Sequence, residues 1–259
     1  MTAELALIEL FGSLDAYLWP FLRIGAFVMV MPLIGSSFVP ATARLLIGIA
    51  LTVVIVPVLP DYDAPEIISL AGLILVGQEI VVGIAMGFAA QLMFDAITLG
   101  GQAIAMSMGL GFAVFLDRAR GVNVPVLGQL FLILGMLIFL AMNGHLALIE
   151  IIAESFGLLP IASGGLSLPG IASLLAWTSQ LFVLAMKIAL PALAALIVVN
   201  LSFGVMSRAA PTLNLFAVGF PVAMLLGFVI VFLNMAGFQE NVALFLSETL
   251  AVLPTLLVR

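Results

Sequence analysis

Five ionisable side chains stand inside otherwise apolar stretches of this sequence: Arg23, Glu79, Asp95, Glu150 and Lys187. An arginine, lysine or aspartate at a bilayer centre costs about 2.5–3.5 kcal/mol on insertion scales. Such residues are therefore kept for pairing, for ion or proton coupling, or for lining a wet cavity. Lys187 is the most isolated, the only charge between Glu154 and Arg208. It is a candidate to pair with Glu79, Asp95 or a partner's carboxylate and so to orient helices. The plainer reading is a lysine that snorkels to an interface or lines a wet cavity.

Other chemistry finds no constellation. The one histidine, His145, lies in Asn143-Gly144-His145 at an expected helix kink. A proton relay needs several titrating groups within reach of one another, so His145 reads as a hydrogen-bonded structural side chain. A metal centre needs three or more convergent ligands, and none gather near it. The chain has no cysteine, which removes disulfides, thiolate ligands and thiol nucleophiles. Gly109-Leu110-Gly111 lacks the Gly-Lys-Ser/Thr ending of a phosphate loop. No serine sits in a strained nucleophile turn. The expectation is a non-enzyme with no catalytic residue, metal or cofactor.

The elements that carry these residues follow from composition. Of 259 residues, 65% are hydrophobic and 8% charged, with mean hydropathy +1.40; a soluble domain is about 25% charged. Nearly every face must be covered by lipid or by apolar partners. The net charge of −6 is scattered and argues against nucleic acid, which needs clustered Lys and Arg. No basic residue precedes Arg23, so no cleaved signal peptide is expected. Apolar runs predict an all-α, polytopic membrane-class fold of about six long helical elements, near 13–34, 41–60, 67–105, 126–157, 171–206 and 212–256. The third, fifth and sixth exceed one crossing and contain Gly83, Gly87, Gly100, Gly101, Pro191, Pro221 and Gly237, so they are expected to kink or fold as hairpins. Gly83-Ile84-Ala85-Met86-Gly87 also has the small-xxx-small spacing that lets helix backbones approach. In a six-crossing arrangement Arg44, Arg118, Arg120 and Arg208 fall on one side, which would be cytoplasmic.

One connection departs from the pattern. Residues 106–125 join glycines to two methionines, Met106 and Met108, and two phenylalanines, Phe112 and Phe115. Loops are ordinarily polar because they run through water, and irregular apolar backbone at membrane depth is tolerated only when buried in protein or lining a cavity. Such a segment could plug a conduit and move aside for a bulky passenger; the plainer reading is a helical extension or an ordinary buried loop.

The run Gly109-Leu110-Gly111-Phe112-Ala113, then Asp117, then Asn123-Val124-Pro125, resembles the central loop of the FliR family of flagellar biosynthetic proteins, related to the SctT proteins of injectisomes. The resemblance extends to Trp19-Pro20 and Arg23, the turn from Pro32 to Pro40, Glu79 with Gly83 and Gly87, and Asn143-Gly144-His145. It also takes in Arg208-Ala209-Ala210-Pro211 with Phe216, Gly219, Phe220 and Pro221. It therefore spans nearly the whole chain, and implies that residues 1–259 are one helical export-gate domain.

The resemblance implies a core subunit of the flagellar type III export channel, in the bacterial inner membrane at the flagellar basal body. FliP-like and FliQ-like subunits would complete the channel and an FlhB-like subunit would join it, passing unfolded flagellar proteins outward. The 106–125 loop would plug the closed channel. Phe112 and Phe115 would fill the lumen, Gly109 and Gly111 would permit displacement, and Asp117 and Asn123, shortly before Pro125, would anchor the base. Met106 and Met108 would lie at the entrance. Arg118 follows the loop aspartate where the family often has proline. The competing expectation is a secondary transporter of a small solute that uses Glu79, Asp95 and Lys187 as coupling groups.

Overall fold

A computed structural model describes residues 2–36, 39–60, 62, 69–110, 126–209 and 215–258. Among the described residues there are eight α-helices and no strand. They are α1 (Thr2–Val30), α2 (Ala41–Ile55), α3 (Leu70–Ser107), α4 (Val126–Ala141), α5 (Gly144–Leu158), α6 (Leu168–Ala209), α7 (Leu215–Leu233) and α8 (Met235–Thr255). The chain is an all-α, polytopic membrane-class protein. Three helical stretches are long and apolar enough to cross a membrane: Ala41–Val58, Leu70–Ser107 and Leu168–Ala209. Two bent pairs, α4 with α5 and Pro221–Leu233 with α8, qualify only together and raise the number to five. The apolar part of α1, Ala16–Val30, is shorter than these, so the six-crossing arrangement is not reached among the described residues.

Helix ends follow local chemistry. Pro32 lies just past α1, in a turn where Leu33 takes a positive φ of 71°. Arg44 braces that turn from α2, donating from Nε to the Val39 carbonyl at 2.9 Å and from Nη2 to the Ser36 carbonyl at 2.5 Å. Pro57 has no N–H for an α-turn, and α2 tightens there into a 3-10 turn, Val56–Val58. Ser69 caps α3, its Oγ accepting from the Gly72 N–H at 2.9 Å.

The expected breaks fall differently. α3 and α6 run without interruption over 38 and 42 residues. Gly83, Gly87, Gly100 and Gly101 of α3 are crossing points, not breakers. A Cβ on Gly100 would lie 2.9 Å from the Ala185 carbonyl oxygen, and one on Gly101 would lie 2.5 Å from the Phe131 ring. Each glycine's helix-propensity penalty of about 1 kcal/mol is offset by the close approach of a second helix. The fourth sequence element does break, at Asn143 in the left-handed region (φ 58°). The last breaks at Asn234, where α7 and α8 bend by 57°.

The chain divides into two compact units. The first comprises Met1–Leu92, Asn143–Thr178 and Ser247–Arg259; the second comprises Met93–Met142 and Ser179–Leu246. α3, α6 and α8 each contribute residues to both. The first unit buries Trp19, Phe27, Met86 and Ile152, with the Trp177 indole donating to the Ala89 carbonyl at 2.9 Å. The second is built on Phe94 set edge-on to Phe139 at 5.3 Å and Phe131 stacked on Phe238 at 4.8 Å.

Candidate functional site

Two places bring the sequence-predicted residues into defined geometry, one in each unit. In the first, Arg23 of α1 meets Glu79 of α3, at 0% and 1% exposure. The guanidinium donates twice to the carboxylate, Nε to Oε2 at 2.6 Å and Nη2 to Oε1 at 3.1 Å. Its Nη1 reaches α5, at the Ser155 carbonyl (3.1 Å) and Oγ (3.3 Å). The Ser155 hydroxyl in turn donates a hydrogen bond to the Ile152 carbonyl at 2.7 Å. The Phe156 ring lies 4.3 Å from the guanidinium carbon, close enough for cation–π attraction.

This arrangement is a pin through three helices. Arginine's planar fork matches a carboxylate bidentately, and two further acceptors satisfy the remaining face. Gly83 and Gly87, one and two turns beyond Glu79, make it possible. A Cβ on Gly83 would overlap the Arg23 carbonyl oxygen, and one on Gly87 would lie 3.0 Å from the Phe27 carbonyl oxygen. α1 can therefore lie close enough for Arg23 to reach Glu79. Of the carboxylates considered for Lys187, Glu79 is thus taken by Arg23, with both of its oxygens engaged. A transporter using Glu79 as a coupling group would have to break this pair first.

Ser155 and Phe156 were not singled out in the sequence. Glu150 and Glu154 offered the visible charges of that helix, yet both are exposed. His145 also differs from expectation: its Nδ1 is buried with no hydrogen-bond partner among the described residues.

The second place is the end of α3. Met106 and Ser107 belong to its last turn, not to a loop. The Leu110 N–H donates to the Ala105 carbonyl at 3.0 Å and the Gly109 N–H to the Met106 carbonyl at 3.1 Å. With Gly109 at φ 82°, this is a Schellman cap. Met106 is 61% exposed and Met108 1%. Met108 fills a slot on α7 that only glycine leaves open, since a Cβ on Gly227 would lie 2.5–2.9 Å from its side chain. Gly111, Phe112, Phe115, Asp117, Asn123 and Pro125, with Arg118 and Arg120, lie outside the described residues. Gly109→Ala is expected to cost about 1 kcal/mol, because an L side chain is strained at this φ. Gly109→Asn should cost less, and thermal denaturation of the detergent-solubilised chain would read the difference.

Asp95 and Lys187 are exposed residues of the second unit. The Lys187 ammonium lies 5.9 Å from the Phe245 ring centroid. Among the described residues no three His, Asp or Glu side chains gather as metal ligands.

A family model described as bacterial export proteins, family 1, matches residues 14–249. The chain belongs to this family. Among relatives of this bacterial export protein, the flagellar biosynthetic protein FliR of Escherichia coli (strain K12) is 37% identical over 214 residues, covering 83% of this chain and 82% of its own. FliR of Pectobacterium carotovorum subsp. carotovorum is 33% identical over 219 residues, covering 85% and 84%. FliR of Bacillus subtilis (strain 168) is 29% identical over 236 residues, covering 89% of each. The family match takes in both the Arg23–Glu79 pin and the Gly109 cap.

Proposed function

We propose that this chain is a core subunit of the flagellar type III protein-export gate in the bacterial inner membrane. With FliP-like and FliQ-like subunits it forms the channel for unfolded flagellar proteins, and an FlhB-like subunit associates with it. The observation that carries this reading is the family match over residues 14–249, joined to flagellar relatives matched over 83–89% of the chain. The chain itself supplies packing and gating, with no reaction of its own.

In this reading residues 109–125 close the channel. Support comes from the resemblance at Gly109, Gly111 and Phe112 and from the cap at Gly109, which ends α3 where the segment begins. Phe112 and Phe115 fill the lumen, Asp117 and Asn123 hold the base, and Met108 keeps the stem on α7 while the residues beyond it move. The three-helix pin is made by Arg23, Glu79, Ser155 and Phe156, none of which belongs to this segment. Deleting residues 109–121 is expected to leave assembly with the partner subunits intact while the closed channel leaks ions. Conductance of the assembled complex in planar bilayers reads this directly, and an unchanged conductance would remove the plug assignment.

A further inference from the structure

α3 leads into residues 109–125 and α4 leads out of them, and the two helices cross where glycine faces glycine. A Cβ on Gly101 would lie 2.9 Å from the Gly128 Cα and 3.1 Å from the Leu127 carbonyl oxygen. One on Gly128 would lie 3.0 Å from the Thr98 carbonyl oxygen. The backbones pass in contact, and neither position has room for a side chain. Gly128 is the third residue of α4, and Gly101 stands six residues before the end of α3.

The exit from α3 is fastened separately. The last carbonyls of a helix lack donors within it; that of Ser107 accepts from Asn200 Nδ2 of α6 at 3.3 Å. Met108, the next residue, lies over Gly227 of α7, its Cγ, Sδ and Cε all within 3 Å of where a Cβ would stand. Contacts from α4, α6 and α7 therefore meet on the last two turns of α3, all within the second unit. They fix the start and the end of the intervening segment relative to each other, so its closure entropy is already spent.

We propose that Gly128, Asn200 and Gly227 are positioning residues for channel closure, holding the base from which residues 109–125 act. This rests on the closing role assigned to that segment above. The geometry ranks the three. Gly128→Ala presses on the Thr98 backbone and must part α4 from α3. Gly227→Ala displaces only a methionine side chain, which can rotate aside while the helices stay packed. Asn200→Asp keeps the shape but, once ionised, has no hydrogen to donate.

Two measurements on the chain assembled with cysteine-free membrane partners form the test. The chain has no cysteine, so Met106→Cys and Val126→Cys, both at exposed positions, take one pair of spin labels flanking the segment. Their distance distribution should be narrow in the otherwise unaltered chain and should broaden or shift in Gly128→Ala and Gly227→Ala. In planar bilayers, without the labels, closed-state conductance should rise in all three variants, most in Gly128→Ala, and less than in the 109–121 deletion. Gly77→Ala, where nothing lies within 4 Å of the new methyl group, should stay sealed. If Gly128→Ala does not assemble, Gly227→Ala decides, because only a side chain has to move there. A leaking deletion beside sealed Gly227→Ala and Gly128→Ala overturns this proposal alone, as do label distances that neither variant changes. A deletion that does not leak overturns the closing role, and this proposal with it.

Discussion

Glu79→Leu is expected to destabilise the chain by about 3–5 kcal/mol, and Arg23→Met by a similar amount, because each leaves a fully buried charge without its partner. The two changes together should restore most of the loss, since an apolar pair of similar volume replaces a buried ion pair at little or no cost. An exposed pair of the same geometry would contribute only about 0–1 kcal/mol. The distinction rests on burial, and Arg23 and Glu79 are 0% and 1% exposed. A double-mutant cycle on the thermal midpoint in detergent, run beside the steady-state amount of chain in the membrane, reads the coupling. Simple additivity of the two single losses would sink the pin. Phe156→Leu on the unaltered background should remove a further contribution of about 1 kcal/mol from the ring beneath the guanidinium.

Gly83→Ala is the second large effect, expected to cost about 1–3 kcal/mol despite alanine's better helix propensity. The added carbon overlaps the Arg23 carbonyl oxygen and comes within 3.0 Å of Ala26 Cβ and the Phe27 nitrogen. Backbone atoms cannot rotate aside as a side-chain tip can, so α1 must move outward. Gly77 is the control within the same helix. Nothing lies within 4 Å of a Cβ placed there, so Gly77→Ala should be neutral or stabilising by up to about 1 kcal/mol. The two substitutions differ only in what faces the new methyl group. Equal melting shifts for both would mean that α1 does not press on α3 at Gly83. Because the displaced residue is Arg23 itself, Gly83→Ala combined with Glu79→Leu should cost less than the sum of the two.

Much of this architecture was legible from the residues, and the misses share a cause. Apolar run lengths located the long helices, and Asn143-Gly144 marked the break between α4 and α5 because asparagine tolerates the left-handed region. The glycines of α3 carry two opposite meanings, a weak point or a contact, and only the presence of a second helix decides between them. Arg23, Glu79 and Lys187 all stood out as expensive charges, but periodicity assigns faces within one element and cannot join residues 56 positions apart. Lys187 drew attention by its isolation; Arg23 found Glu79 through a crossing set by Gly83. The third element was expected to end at 105, but α3 runs on to Ser107 because Met106-Ser107 holds no breaker and the stop comes from Gly109.

The Arg23 pin also sets an order of events during synthesis. Arg23 precedes its carboxylate by 56 residues and its α5 acceptors by 132. At translation rates of about 5–20 residues per second, α1 waits roughly 7–26 seconds for the last of these groups. Until Glu79 is made, roughly 3–11 seconds after Arg23 at these rates, it carries an uncompensated cation that resists a settled position in lipid. α1 precedes α3 and α5 in the chain and is locked only after both are made, so nascent chains halted before Ser155 should leave it loosely held and open to proteolysis.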